Sequence, residues 1–301
     1  MKKLIKKYIS KQDKALISSV TNYDINNLIH EVKDWTPFNN NAKHIITRFD
    51  KKGMHLLRSL LAEKIIDDLR ESKFNALQCS EYTEFKETGL IIRHDIDINK
   101  DKEWIYKIIS TFEGSNYGLS LKNFNVNNII ATSGYDIQHS PHIDTFQPSC
   151  KLWIYKNDMS LENGPFCYVK GSHRNSKEKL SLLYSLSTER SRKLLNISND
   201  YEGSTIGRLS SQTSNLLPLG EVTASLRLKV NNSFKSFDPK DINKTLRSFN
   251  LNEETPITGE TGTLCIADIS GMHRRFKGLD GSVRRSVRWS SLRRNLNPFS
   301  L

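Results

Sequence analysis

Nowhere in the 301 residues do about 18 apolar residues follow one another, so no stretch reads as a membrane-spanning helix. The opening MKKLIKKYISKQDK is basic, but no apolar run of signal-peptide length follows it. The expectation is a cytoplasmic protein without membrane insertion. The four cysteines, Cys79, Cys150, Cys167 and Cys265, include no C-x-x-C pair, which excludes a zinc ribbon and a thioredoxin-type motif. Buried free thiols in a reducing compartment are the reading that remains. Internal repeats are absent, as is any linker that would force a second domain. Also missing are interleaved basic and aromatic patches, although the formal net charge is +12. Residues 1–14 carry six Lys and one Asp, and residues 271–294 carry seven Arg, one Lys and one Asp, so these two segments hold the whole excess. A neutral body with a solvated basic tail and a few structural or ligand-pairing arginines argues against a nucleic-acid partner.

What is present is the composition of a soluble globular chain, 37% hydrophobic and 26% charged, at a length that suits one β-barrel or sandwich domain. Residues 1–50 are polar and rich in Asn and Lys, with Trp35-Thr36-Pro37-Phe38 as their main apolar cluster. They read as an N-terminal extension, a mobile arm or a packed one, ahead of a single domain over residues 51–301. Across residues 54–70, Leu57, Leu61, Ile65 and Leu69 recur at four-residue spacing, joined by Leu60, and predict an amphipathic helix on the outside of the main core.

After that helix the pattern changes to short runs of β-branched, aromatic and alternating residues: Leu90-Ile91-Ile92, Leu152-Trp153-Ile154-Tyr155, Phe166-Cys167-Tyr168-Val169, residues 226–229, Thr263-Leu264-Cys265-Ile266-Ala267 and residues 284–289. Short strands between turn residues predict an all-β core. Asn163-Gly164 between two such runs predicts a hairpin. A helical pattern returns over residues 176–195, and residues 176–258 read as an insertion. Residues 80–130 and 176–258 are expected to surround the mouth of the fold.

The chemistry-bearing pattern is Gln138-His139-Ser140-Pro141-His142-Ile143-Asp144, followed at a distance by Gly271-Met272-His273. Strand residues two apart share a face, so His142 and Asp144 can present an imidazole nitrogen and a carboxylate oxygen to one ion. His273 from a distant strand would complete a facial set of two imidazoles and one carboxylate. That set leaves three coordination sites open, the arrangement used by non-haem iron(II) oxygenases. His139, three residues before His142, should face away as a surface or packing histidine.

The surrounding residues make the chain resemble the phytanoyl-CoA dioxygenase family of iron(II)/2-oxoglutarate oxygenases. The likeness runs through His142-Ile143-Asp144, Lys151-Leu152-Trp153-Ile154-Tyr155 and Glu162-Asn163-Gly164-Pro165-Phe166-Cys167-Tyr168-Val169-Lys170-Gly171-Ser172-His173. It resumes at Gly262-Thr263-Leu264-Cys265-Ile266-Ala267-Asp268 and ends with His273 and Arg284-Arg285-Ser286-Val287. The resemblance implies a mainly β fold, a double-stranded β-helix (a jelly-roll, cupin-like barrel) with flanking α-helices. It implies Fe(II) on His142, Asp144 and His273, with 2-oxoglutarate and O2 as cosubstrates. It also implies an arginine eleven residues after the distal histidine, Arg284, that grips the far carboxylate of 2-oxoglutarate. Arg285 competes for that task, because a one-residue slip in register exchanges the two. Trp153 matches a position near the cosubstrate, with a plain barrel-filling role as its alternative. Gln138 and Lys122 lie on segments leading into the ligand strand, within reach of cosubstrate or substrate, and Gly171-Ser172-His173 reads as a structural turn.

The activity implied is hydroxylation of a small-molecule substrate, with oxidative decarboxylation of 2-oxoglutarate to succinate and carbon dioxide. Related iron halogenases lack the carboxylate ligand, so Asp144 points to hydroxylation or a desaturation-like variant. Two other classes stay open: a metal-binding jelly-roll without catalysis, and an oxygenase acting on nucleic acid.

Overall fold

A computed structural model describes residues 2–31, 53–114, 124–132, 134, 136–139, 141–144, 148–181, 184, 226–227, 239–248 and 250–290. The cluster at 35–38, Lys122 and most of residues 176–258 therefore lie outside the described residues. In chain order the helices are α1 (Lys2–Tyr8), α2 (Lys11–Thr21), α3 (Ile25–Glu31), α4 (Met54–Leu77), α5 (Glu81–Thr88), α6 (Lys102–Glu113) and α7 (Pro239–Ser248). The strands are β1 (Leu90–Arg93), β2 (Asn125–Ile130), β3 (His142–Ile143), β4 (Cys150–Tyr155), β5 (Phe166–Val169), β6 (Leu226–Arg227), β7 (Glu254–Pro256), β8 (Leu264–Asp268), β9 (His273–Arg275) and β10 (Val283–Ser290).

Two five-stranded antiparallel sheets result, ordered β1-β8-β4-β10-β2 and β6-β3-β9-β5-β7. The chain steps from one sheet to the other between β2 and β3, β3 and β4, β4 and β5, and again at β7–β8, β8–β9 and β9–β10. The side-chain period of two explains how the layers stack. In β8, Leu264 and Ile266 join an outer cluster with Tyr82 and Phe85 of α5 and Ile105, Ile109 and Phe112 of α6. Cys265 and Ala267 turn inward to Trp153, Tyr155, Phe166 and Tyr168, which come from both sheets. Burial on both faces is why β8 reads as an almost unbroken apolar run. Outside the second sheet, Ile143, Val169 and Met272 pack on Leu56, Leu180, Ile242 and Leu246.

Residues 2–31 of the N-terminal extension are a packed element. Ile5, Ile9, Ile17, Ile25 and Leu28 of α1–α3 bury against Leu57, Leu60 and Leu61 of α4. Ser10 caps α2 by accepting from the Asp13 N–H while the Asp13 carboxylate accepts from the Ser10 N–H. Their apolar residues come in short groups among Lys, Ser and Asn, so composition hides a helical period that packing reveals.

Three sequence expectations are corrected. Leu69 is 41% exposed, because an i, i+4 series advances by about 40° per step on a helix of about 3.6 residues per turn and walks off the buried face. The runs flanking Asn163-Gly164 form no hairpin, since β4 and β5 lie in opposite sheets. A 3₁₀ turn, Leu161–Asn163, precedes Gly164 instead. Gly164 has φ +70°, and a Cβ there would stand 2.8 Å from the Phe276 carbonyl oxygen. Residues 80–130 do not surround the mouth as a whole. Helices α5 and α6 cover the outer face of the first sheet, and only β2 reaches the cleft among the described parts of this segment.

Candidate metal centre

His142 and His273 sit directly opposite each other in the β3–β9 pair, with ring centroids 4.5 Å apart. Ile143 points the other way, into the outer cluster, so Asp144 returns to the histidine side just past the end of β3. The Asp144 N–H donates to the Ile269 carbonyl at 3.0 Å, which fixes the backbone there. Asp144 Oδ1 lies 3.6 Å from His142 Nε2, and Oδ2 lies 3.6 Å from His273 Nε2. One ligand atom from each of the three residues lies within 4.8 Å of the others, so the group can hold a metal ion.

The donor chemistry fits a cation. His273 Nδ1 is 2.9 Å from the Gly271 carbonyl; a carbonyl can only accept, so Nδ1 carries the proton and Nε2 turns its lone pair toward the site. Burial pushes the Asp144 carboxyl up, but Lys151, His273 and His142 together hold it well below the usual carboxylate range. Asp144 is therefore a carboxylate at neutral pH. The Lys151 ammonium forms an ion pair with its Oδ2.

A cleft of about 150 Å³ opens on this group, bounded by both sheets. Trp153 stacks on Phe166 at 4.3 Å between ring centroids and joins the two sheets at its wall. It is thus both a wall of the cleft and part of the inner core. Gln138 lines the cleft from the 3₁₀ turn Ile137–His139. Strand β10 turns Arg284, Ser286 and Arg288 to the cleft, whereas Arg285 is exposed and gives its N–H to Asn157 Oδ1 at 2.7 Å. Val287 and Trp289 pack outward beneath the helices. Both faces of β10 carry buried residues, Arg284 and Ser286 on one and Val287 and Trp289 on the other, so burial pattern alone could not tell which one faced the cleft.

Arg284 is 5% exposed and donates through Nη1 to the Gly164 carbonyl at 3.3 Å. Among the described residues it has no carboxylate partner, and its Nε and the Ser286 Oγ have no hydrogen-bond partner. Burial lowers the Arg284 pKa from its ordinary value. Burial and then the Arg284 charge draw neighbouring Arg275 down to about 10. Arg275 forms an ion pair with Asp136, and Arg274 Nη2 meets Glu254 Oε1 at 2.5 Å.

The structure thus brings His142, Asp144, His273, Arg284, Trp153 and Gln138 to one cleft; Lys122 lies outside the described residues. Sequence reasoning missed Lys151, for which the available signal was its place two residues before Trp153 on the same strand face. His139 is buried, with its pKa lowered to about 4 by burial, Arg274 and Lys277, and does not line the cleft. Gly171-Ser172-His173 forms a turn in which Ser172 Oγ donates to the Val169 carbonyl at 2.6 Å and accepts from the Met272 N–H at 2.7 Å. Cys79, Cys150, Cys167 and Cys265 are buried free thiols. No described helix is long and apolar enough to cross a membrane.

The sequence matches no protein-family model and no curated protein. Among solved structures, EctD from S. alaskensis with bound Fe is similar at 11% identity and a TM-score of 0.33, over 68% of this chain and 73% of that one. HygX from Streptomyces hygroscopicus with iron bound is similar at 12% identity and 0.32, over 70% and 84%. SnoK, a non-heme alpha ketoglutarate dependent carbocyclase from nogalamycin biosynthesis, is similar at 10% identity and 0.31, over 68% and 80%.

Proposed function

We propose that this chain is an iron(II)/2-oxoglutarate-dependent dioxygenase of the phytanoyl-CoA dioxygenase type, hydroxylating a small-molecule substrate. The observation that carries this reading is a buried guanidinium, Arg284, with no anionic partner among the described residues, on the wall of the cleft that holds the His142, Asp144 and His273 ligand set. In this reading the two sheets are the core of a double-stranded β-helix within a single domain over residues 51–301, with an insertion at 176–258. Four buried free thiols fit a reducing compartment such as the cytoplasm.

Iron(II) in this site supplies the redox chemistry, in which dioxygen, 2-oxoglutarate and a substrate C–H group give succinate, carbon dioxide and the hydroxylated product. The chain supplies position. His142, Asp144 and His273 would hold the ion at the wall of the cleft. Arg284 offers its planar fork to the distal carboxylate of 2-oxoglutarate, which suits two parallel charge-assisted hydrogen bonds. Ser286 Oγ, 1% exposed and unpartnered, stands on the same strand face and can donate to that carboxylate. Trp153 and Phe166 exclude water from the wall between them.

Loss of the fork tests the assignment. Arg284→Gln is expected to raise the KM for 2-oxoglutarate by about 100-fold, the size of two lost charge-assisted hydrogen bonds. Iron affinity should stay within a few-fold, because the guanidinium makes no bond to the ligand set. Steady-state succinate formation against 2-oxoglutarate concentration, with a parallel iron titration, reads both. An unchanged KM removes Arg284 from the role.

A further inference from the structure

Among the described residues, five cationic side chains line the cleft, Lys151, Arg274, Arg275, Arg284 and Arg288, against one carboxylate, Asp144. Arg274 is neutralised by Glu254 and Arg275 by Asp136. With the ion and cosubstrate of the proposed function in place, Asp144 and the keto-acid carboxylate balance the dication, and the distal carboxylate balances Arg284. Arg288 at the rim, and Lys151, whose ammonium is paired with Asp144, then remain as two positive charges in excess. Arg288 has no carboxylate partner among the described residues and is exposed at the rim, paired in register with Trp153 on β4 and Asn125 on β2. Asn127, two pairs along in register and opposite Ser286, lines the same wall and adds hydrogen-bonding capacity. A cleft with low-dielectric walls focuses such an excess of one sign on whatever enters.

We propose, on the basis of the oxygenase reading, that the primary substrate is a small anion whose carboxylate or phosphate is held at the rim by Arg288, with Lys151 supplying a second positive charge. Arg288 is then a specificity-determining residue: it holds the oxyanion and leaves the uncharged part of the molecule toward the ligand set. Its exposure keeps the contribution moderate, because water and salt screen a rim charge.

The test uses the full chain loaded with iron(II) and 2-oxoglutarate under anaerobic conditions, with calorimetric titration of pentanoate, pentyl phosphate and the neutral pentanamide. At least one anion is expected to bind about tenfold more tightly than the amide, the size of one screened charge-assisted contact, and the tighter anion identifies the group. Arg288→Gln should reduce the preference to about twofold or less, and Arg288→Lys should restore part of it. Equal binding of anion and amide, no measurable heat with either anion, or an undiminished preference in Arg288→Gln overturns the proposal. The visible band of the iron–2-oxoglutarate complex, read in the same samples, reports cosubstrate loading separately. A missing band with a persistent Arg288-dependent anion preference overturns the oxygenase reading and leaves the oxyanion site standing. A normal band without the preference does the reverse.

Discussion

Replacing Asp144 with alanine is expected to lower succinate formation by more than about 100-fold and to abolish the visible iron–2-oxoglutarate band. Altering groups that merely orient metal ligands already costs about 10- to 100-fold, and Asp144 would be a ligand itself. Among the described residues it is the only carboxylate lining the cleft, and its two oxygens are each 3.6 Å from one histidine Nε2. Its pKa stays well below the usual range despite burial, so it brings a full negative charge at neutral pH. Alanine would leave two imidazoles and the Lys151 ammonium around the ion, exchanging an attraction for a repulsion. The Asp144 side chain is partly open to solvent, so the variant should fold, and a thermal unfolding curve close to that of the unaltered chain separates lost chemistry from lost structure. Undiminished succinate from a folded variant would refute the metal assignment.

How much of this could be read in the sequence differed from one element to the next. The H-x-D pattern was legible because a strand period of two puts His142 and Asp144 on one side, and the pairing of His142 with His273 completes the set. The strands β1, β4, β5 and β8 were legible as apolar runs and β10 as an alternating one. The partner sheet of each was not, because pairing is long-range, and Asn163-Gly164 suggested a local hairpin where the chain crosses between sheets. The side of β10 that faces the cleft was ambiguous, since Val287 and Trp289 are buried as well, though against the helices. Polar residues facing a cleft and apolar residues facing a helix layer invert the usual inside-outside pattern of a half-exposed strand. Lys151 escaped notice because its pairing with Asp144 depends on how β3 and β4 enter opposite sheets. Helices α1–α3 escaped because their burial is against α4 and not within any one of them.

A change away from the ligands should be felt both in stability and at the metal. Asp268 closes β8 with no exposed surface. Its Oδ2 accepts from Arg70 Nη2 at 3.0 Å, and its Oδ1 accepts from the N–H groups of Ser149 and Ser270, each at 3.1 Å, and from Ser270 Oγ at 2.7 Å. Removing one member of a buried ion pair leaves the other charge uncompensated, so Asp268→Ala is expected to cost about 3–5 kcal/mol in denaturant unfolding. Burial raises the Asp268 pKa, but Arg70, His173 and the hydrogen bonds outweigh it, and the folded-state value lies below 3.8. A depressed carboxyl contributes fully above its unfolded pKa and loses that contribution as pH falls toward the folded one. The unaltered chain should therefore lose this part of its stability below about pH 4, and Asp268→Asn should flatten that acid limb. The turn that Asp268 anchors also carries the Ile269 carbonyl, which accepts the Asp144 N–H, and the Gly271 carbonyl, which sets the His273 tautomer. Iron affinity should accordingly drop about 10- to 100-fold in Asp268→Asn at neutral pH, at temperatures where the variant is fully folded. Unchanged iron affinity in that folded variant would confine Asp268 to holding α4 against the sheet and leave the site to be positioned by β3 and β9 alone.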